Sequence, residues 1–294
     1  MAELISISDG NVSASIDPMG AQLMNLGLGG NEYLWQGDPA FWNRRSPVLF
    51  PIVGVLRDGR ATSAQGEVVL PRHGCARDFE HAVVEKDDSH VVFELDANEK
   101  TRAAYPYDFR LNMGYEVREG ALYQSYTVTN TGEVDLPFTF GAHPAFNVPL
   151  CGADEAYGDY ELCFAKPWTA VVPTVLENGL HDFAKMHTLF EDADSWTLSH
   201  EKIDKLLTIV FKDVPGDTVT LVGTKSGHGV EVAFPGFDYL GVWTASAEAP
   251  FVAIEPWHGC ADCLDESGVF EEKRDTIVLA PGERCTYTFS MRPF

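Results

Sequence analysis

Residues 111–128 read LNMGYEVREGALYQSYTV, and this stretch carries the pattern that decides the fold class. Large side chains recur at every second position on both sides of the dipeptide Glu119-Gly120: Leu111, Met113, Tyr115 and Val117 before it, then Leu122, Gln124, Tyr126 and Val128. A period of two residues is typical of a β-strand with one buried face. Because Glu119-Gly120 can form a tight turn, the stretch predicts two antiparallel strands.

Similar patterns occur along the rest of the chain, separated by short turn signals such as Pro281-Gly282. We predict further strands in residues 12–16, 68–70, 91–95, 136–140, 206–211, 218–222, 230–234, 239–243, 251–255, 277–280 and 286–291. Alternating strand and helix patterns, which would indicate a parallel sheet, are absent. The sequence therefore predicts an all-β protein, and we expect residues 1–294 to form a single domain.

Two segments lack this period. Asp38-Pro39 offers a capping residue followed by proline at a first helical position, so we predict a brief helix there. The stretch from Cys151 to Asp194 is richer in polar residues, proline and histidine, and we expect it to form long loops over a sheet.

Composition excludes several classes of partner. The net charge of −23 opposes binding to nucleic acid and to anionic membranes.

The amino terminus has no basic region followed by a long apolar stretch, so we expect a cytoplasmic protein. Such a compartment keeps the six cysteines reduced. Cys260 and Cys263 have C-x-x-C spacing near His258, but no second pair completes a metal site, so we predict no metal.

The most informative candidate for chemistry is His143, because Pro144 follows it directly. Proline restricts the residue before it to an extended backbone, so the imidazole can be aimed. Histidine also exchanges protons near neutral pH. A buried structural histidine would give the same dipeptide, so the motif needs support from elsewhere in the chain.

Two further short segments contain candidate residues that a plain strand pattern would not require. Residues 72–77 read RHGCAR, and residues 254–259 read IEPWHG, where Glu255 ends an apolar run. When a carboxyl group and an imidazole lie in one site, one of them can act as a base and the other as an acid. Flat apolar faces that could stack on a sugar ring, or simply pack in a core, are supplied by Trp257, Phe50, Trp243 and Phe146.

These two segments and the His143 segment resemble the motifs of the aldose 1-epimerase family, the galactose mutarotase-like proteins, and in particular the bacterial LacX-like branch. Residues 73–77 (HGCAR) are similar to its H-G-F-A-R, residues 141–147 (GAHPAFN) to its G-x-H-P-A-F, and residues 254–257 (IEPW) to its x-E-P-W. The resemblance extends over nearly the whole chain in the family's order. It implies a β-supersandwich of large antiparallel sheets with a sugar on a concave face.

The resemblance also implies roles for individual residues. His143 corresponds to a general acid, Glu255 to a general base and His73 to a histidine that holds and polarises the sugar. Asp204, Arg77, Arg57 and Trp257 are the remaining substrate-binding candidates. The partner is then a small aldose whose ring opens and closes by proton transfer, without a cofactor. Whether the protein is a monomer or a homodimer stays open.

Two departures from the family pattern bear on the substrate. Val55 stands where the family commonly has an arginine, with Arg57 two positions later, and Cys75 replaces a phenylalanine. A phosphorylated-sugar epimerase, such as a hexose-6-phosphate mutarotase, is therefore an alternative, which requires at least two of four arginines to meet at one pocket: Arg57, Arg60, Arg72 and Arg77. The sequence also leaves open a non-catalytic carbohydrate-binding protein and a glycoside hydrolase, although a hydrolase typically needs two carboxylates.

Overall fold

The computed structural model describes residues 3–294, which form 23 strands and two α-helices. The strands of the first half are β1 (Ile5–Ser8), β2 (Val12–Asp17), β3 (Gln22–Leu28), β4 (Asn31–Glu32), β5 (Val48–Leu49), β6 (Arg60–Ser63), β7 (Gly66–Val69), β8 (Ala82–Lys86), β9 (His90–Asp96), β10 (Phe109–Arg118), β11 (Ala121–Asn130), β12 (Leu136–Phe138), β13 (Phe140–Ala142) and β14 (Ala145–Asn147). The second half contains β15 (Tyr160–Val175), β16 (His181–Thr197), β17 (Ile209–Lys212), β18 (Thr218–Gly223), β19 (Gly229–Ala233), β20 (Tyr239–Trp243), β21 (Phe251–His258), β22 (Ile277–Leu279) and β23 (Arg284–Pro293).

Helices occupy a small part of the described chain. The two α-helices are α1 (Glu99–Ala104) and α2 (His200–Leu206). Single 3₁₀ turns cover Arg57–Gly59, Ala76–Asp78, Leu150–Gly152, Tyr157–Asp159, Pro215–Asp217 and Phe270–Glu272. No helix within residues 3–294 is long and apolar enough to span a bilayer.

Large antiparallel sheets dominate the molecule, which confirms the predicted fold class. Nine strands form one sheet in the order β16-β15-β18-β19-β23-β11-β10-β9-β8, and six form another, ordered β17-β20-β21-β13-β5 with β14 also paired to β21. A four-stranded sheet has the order β1-β2-β3-β4. The two small sheets pair β6 with β7 and β12 with β22.

Residues 111–128 form neighbouring strands of the nine-stranded sheet. β10 and β11 pair antiparallel, with Val117 opposite Leu122 and Leu111 opposite Val128. All eight alternating side chains are buried. The buried Gln124 side chain donates from Nε2 to the Tyr126 hydroxyl at 3.0 Å.

The expectation of long loops from Cys151 to Asp194 is wrong, because this region contains β15 and most of β16, the two longest strands. Their pairing contains several register shifts, and much of β16, the edge strand, is exposed. Neither face keeps a simple alternation of buried and exposed residues, so the period-two signal is lost.

Two shorter predictions also need correction. The helix predicted at Asp38 is only a turn, in which the Asp38 carbonyl accepts from the backbone N–H groups of Phe41 and Trp42. The strand predicted over residues 206–211 begins at Ile209, because α2 continues through Leu206 and Leu207 follows with a left-handed φ of 62°.

Candidate active site

Strand pairing brings the His143 and Glu255 segments together on the six-stranded sheet. On one side of β21, Gly141 of β13 lies opposite Trp257, and Ala145 of β14 lies opposite Ala253. Residues 143 and 144 bridge these two short strands, and the Pro144 carbonyl accepts from the Ile254 backbone N–H at 3.0 Å. This segment therefore holds His143 beside Glu255.

The side chains of His143 and Glu255 face each other closely. The Nε2 atom of His143 lies 3.3 Å from Glu255 Oε2. The two residues are only 6% and 1% exposed, so water stabilises neither charge. Burial lowers the pKa of His143 to about 3 and raises the pKa of Glu255 well above 4.5. Burial thus opposes the charged form of each group and favours a proton on Glu255 over one on His143.

His73, from the RHGCAR segment, completes a cluster of three titratable groups. Its ring contacts the His143 ring edge-on, with centroids 5.5 Å apart. Its Nδ1 accepts a hydrogen bond from the Gly54 backbone N–H at 3.1 Å. Burial, followed by the charges of His143 and nearby arginines, lowers the pKa of His73 well below 6.5. A neutral ring whose Nδ1 accepts must carry its proton on Nε2, so His73 can donate from that atom.

Aromatic side chains form part of the wall around this cluster. The Trp42 indole stacks on His143 with centroids 4.8 Å apart, and Trp243 meets the same imidazole edge-on at 5.4 Å. Trp257 also lines the cavity, whereas Phe50 and Phe146 are fully buried in the main core. Trp243 and Trp257 are thus placed to contact a ligand, and Phe50 and Phe146 are not.

The cluster opens into a cavity of about 480 Å³, a size typical of small-molecule sites. One wall is the tip of the β15–β16 hairpin, including Val175, Glu177, Gly179 and His181. His181 is buried, burial lowers its pKa to about 4, and its Nδ1 has no hydrogen-bond partner. Sequence reasoning missed His181 and Trp42; the only local signal was the richness in histidine of the stretch expected to form loops.

Two of the substrate-binding candidates lie outside the lining of this cavity. Asp204 is exposed on α2, although Leu207 and Thr208, just beyond that helix, do line the cavity. Arg57 instead donates from Nη2 to the carbonyls of Cys263 and Leu264, at 2.8 and 3.1 Å. The structure therefore gives neither residue a contact with a ligand in this cavity.

Of the other arginines that the sequence singled out, two line the cavity and one does not. Arg60 is exposed and pairs with Glu67 at 3.0 Å, whereas Arg72 and Arg77 line the cavity. Arg44, which the sequence did not single out, joins them on the cavity wall.

The C-x-x-C pair lies beneath the cavity, whose wall includes Ala261. The sulfurs of Cys260 and Cys263 are 3.9 Å apart, both residues are buried, and all six cysteines are free thiols. His258 pairs with Asp238 at 2.9 Å and is not among the cavity residues. Within residues 3–294, no three His, Cys, Asp or Glu side chains group as a metal site would require.

The central group can carry out coupled proton transfer. A histidine and a carboxyl separated by 3.3 Å are close enough to act on the same ligand, so one group can accept a proton while the other donates. His73 Nε2 adds a neutral donor, and the tryptophans add apolar faces. Such a set fits a small polar molecule with several oxygen atoms.

This fold and this site define a galactose mutarotase-like protein, and comparisons with known proteins agree. A family model described as aldose 1-epimerase matches residues 3–292. The chain is similar to the plasmid-encoded protein LacX of Lactococcus lactis subsp. lactis, at 32% identity over 285 residues, covering 94% of this chain and 95% of that protein. The chain belongs to the aldose 1-epimerase family.

Two solved structures show the same fold along almost the whole chain. The galactose mutarotase related enzyme from Lactobacillus acidophilus superposes with a TM-score of 0.93 at 27% identity, covering 99% of this chain and 97% of the other. A galactose mutarotase-like protein from Lactobacillus casei ATCC 334 gives 0.91 at 27% identity, covering 99% and 100%. These relatives confirm the β-supersandwich that the sequence motifs implied.

Proposed function

We propose that the protein is an aldose 1-epimerase, which interconverts the α and β anomers of an aldose sugar. The observation that carries this proposal is the 3.3 Å separation of His143 Nε2 and Glu255 Oε2 on the wall of a cavity also lined by His73. Family membership supports an isomerase of this kind. In the proposal Glu255 is the base, His143 is the acid, and His73 holds a sugar oxygen.

The reaction begins with the distribution of the shared proton. Hydrogen bonds from sugar hydroxyls to the Glu255 carboxylate favour its charged form, so sugar binding moves the proton from Glu255 to His143. Glu255 then removes the proton from the anomeric hydroxyl while His143 protonates the ring oxygen. The C1–O5 bond breaks and the anomeric C–O bond becomes a carbonyl.

Ring closure reverses these steps. Rotation about C1–C2 presents the other face of the carbonyl to the same hydroxyl. His143 takes back its proton as the C1–O5 bond forms, and Glu255 returns a proton to the new anomeric hydroxyl. Protons and bonds balance over the cycle, and both transfers are made by side chains, so the reaction as written requires no cofactor.

The test is the rate of anomer exchange in freshly dissolved α-glucose and α-galactose, followed by polarimetry and by NMR exchange spectroscopy. We expect His143→Asn and Glu255→Gln each to lower kcat by about a hundredfold or more. His258→Asn is a matched control, since His258 pairs with Asp238 and is not in the cavity lining. Circular dichroism should give the same folded spectrum for all three variants.

Two outcomes would contradict the proposal. Near wild-type rates in either cavity variant would remove that residue from the mechanism. Wild-type protein that binds sugars but leaves every one at its spontaneous rate of exchange would identify a carbohydrate-binding protein without catalysis.

A further inference from the structure

Three arginines lie on the wall of the cavity that contains the proposed acid–base pair. Arg44 precedes β5 in the chain, and Arg72 and Arg77 flank His73. The chain has 44 acidic and 21 basic side chains, so carboxylates outnumber cations two to one. In so acidic a protein, cations gathered around one cavity indicate a local requirement for positive charge.

Of these three arginines, only Arg44 forms an ion pair with a carboxylate among residues 3–294. Asp78, next to Arg77 in sequence, pairs with Arg44 at 3.0 Å. Arg77 donates from Nη2 to the Arg72 backbone carbonyl at 2.6 Å, and its buried Nε has no hydrogen-bond partner. In the described part of the chain, Arg72 and Arg77 form no ion pair. The charges of these two guanidinium groups are therefore not compensated by a carboxylate of that part of the chain at ion-pair distance.

The β15–β16 hairpin keeps the Arg72 guanidinium against the cavity. A Cβ atom placed on Gly179 would lie 2.8 Å from Arg72 Nη2 and 3.1 Å from Nη1. The guanidinium therefore packs directly on the backbone of the hairpin tip, where Gly179 has a left-handed φ of 88°. This contact positions the side chain without using its charge.

The arginine charges reach the reacting groups. Arg72 and Arg77 both contribute to the lowered pKa of His73 and of His143, and Arg72 also favours the ionised form of Glu255. The other carboxyl on the cavity wall is Glu177, which is exposed at the hairpin tip. The positive electrostatic potential of these arginines therefore acts at the place where the sugar ring would react.

We propose that Arg72 and Arg77 form an anion subsite, so that the preferred substrate is an aldose carrying a phosphate or carboxylate group. This inference rests on the proposed function and names its substrate class. Guanidinium groups bind both anions through paired N–H donors. The anionic group belongs on a carbon other than C1, because the anomeric hydroxyl and ring oxygen must reach Glu255 and His143.

The experiment compares kcat/KM for anomer exchange among glucose, glucose 6-phosphate and glucuronate, and the same series derived from galactose. We expect at least one anionic sugar to exceed its neutral parent by roughly tenfold or more, the effect of a charge-assisted hydrogen bond. Arg72→Gln and Arg77→Gln should remove most of that preference, so that kcat/KM for the anionic sugar falls to near the value for its neutral parent in the same variant. Arg60→Gln, at an exposed pair with Glu67, is the matched control.

A preference for the 6-phosphate sugars would identify phosphate as the bound anion, and a preference for the uronates would identify carboxylate. Equal or better turnover of neutral sugars by the wild type would overturn the subsite and leave the proposed function intact. An equal loss for neutral and anionic sugars in Arg72→Gln would also overturn it, because Arg72 would then act on the ring or on the fold.

Failure of the proposed function gives a different result. If the wild type accelerates exchange of no sugar, calorimetric binding of the same series still tests the subsite. Tighter binding of an anionic sugar, lost in Arg72→Gln and kept in Arg60→Gln, would support the subsite in a protein without this activity. Equal binding of neutral and anionic sugars would overturn it.

Discussion

Glu255 is a buried carboxyl group, 1% exposed, on the central strand β21. Burial costs the charged form its hydration, and the opposing effects of the Trp257 indole and the Arg72 guanidinium are smaller. Groups held in such an unfavourable environment are typical of sites where chemistry takes place. The same burial has a consequence for stability that is independent of catalysis.

We expect Glu255→Gln to stabilise the protein, and the gain to grow with pH. The unfolded chain releases this proton near pH 4.5, whereas the folded protein keeps it to a higher pH. A raised folded-state pKa gives stability that is fully present below pH 4.5 and is lost as pH rises through the folded value. Glutamine does not ionise, so the variant should gain about 1 kcal/mol or more at pH 8.

The measurement is urea denaturation of both proteins at pH 5 and pH 8. Glu231→Gln, on the partly exposed strand β19, controls for the loss of one negative charge. A gain of the same size at both pH values would show that ionisation of Glu255 does not limit stability.

Motifs of adjacent residues allowed the sequence to predict His143, Glu255 and His73, because each stands in a short pattern with chemical meaning. Trp42 and His181 belong to no such pattern. Trp42 reaches the site by stacking on His143, and His181 by the pairing of a hairpin tip with residues 262–264. Contacts made only by tertiary packing leave no signal in a single sequence.

Strand pairing explains the geometry of the site at the level of elements. β21 pairs with β13 and β14 on one side and with β20 on the other. Glycines in these neighbours make room for Trp257: a Cβ atom would lie 2.6 Å from its ring at Gly141 and 2.4 Å at Gly241. The two glycines thus leave the space that the Trp257 indole occupies beside the cavity.

We expect Gly241→Ala to disturb both the sheet and the cavity. The added methyl would overlap Trp257 Cζ2 and Cη2, so the indole must move, at a cost of roughly 1–3 kcal/mol in stability. Because Trp257 lines the cavity, sugar affinity should fall as well. Gly158→Ala is the matched control, since its nearest neighbour, the Leu198 carbonyl oxygen, would be 3.9 Å away.

Thermal denaturation and tryptophan fluorescence measure these effects. Unchanged fluorescence and stability in Gly241→Ala would mean that the sheet accommodates the methyl group without moving the indole. The contrast with Gly158→Ala separates overlap with the ring from the general effect of replacing glycine.

Among the strands, the sequence predicted well those with one buried and one polar face, as in β10 and β11. It failed for β15 and β16, since bulges and exposure on both faces remove that alternation. The error matters for function, because this hairpin supplies His181, Glu177 and Gly179 to the cavity wall.

At the scale of the whole molecule, the sheets share one hydrophobic core. A single buried cluster contains Val12 of β2, Leu111 of β10 and Ile254 of β21, which belong to three different sheets. The all-β class followed from local patterns, whereas the arrangement of the sheets came only from the resemblance. Local period cannot specify which strands pair across long distances in sequence.

We expect residues 1–294 to unfold as one domain, in a single cooperative transition. Because side chains of three sheets pack in the same cluster, loss of one sheet exposes apolar surface of the others, and the partly folded states are unfavourable. Differential scanning calorimetry should give one peak whose van't Hoff and calorimetric enthalpies agree. Far-ultraviolet circular dichroism and tryptophan fluorescence should follow the same curve. Two separated transitions would divide the chain into independent domains and contradict a common core.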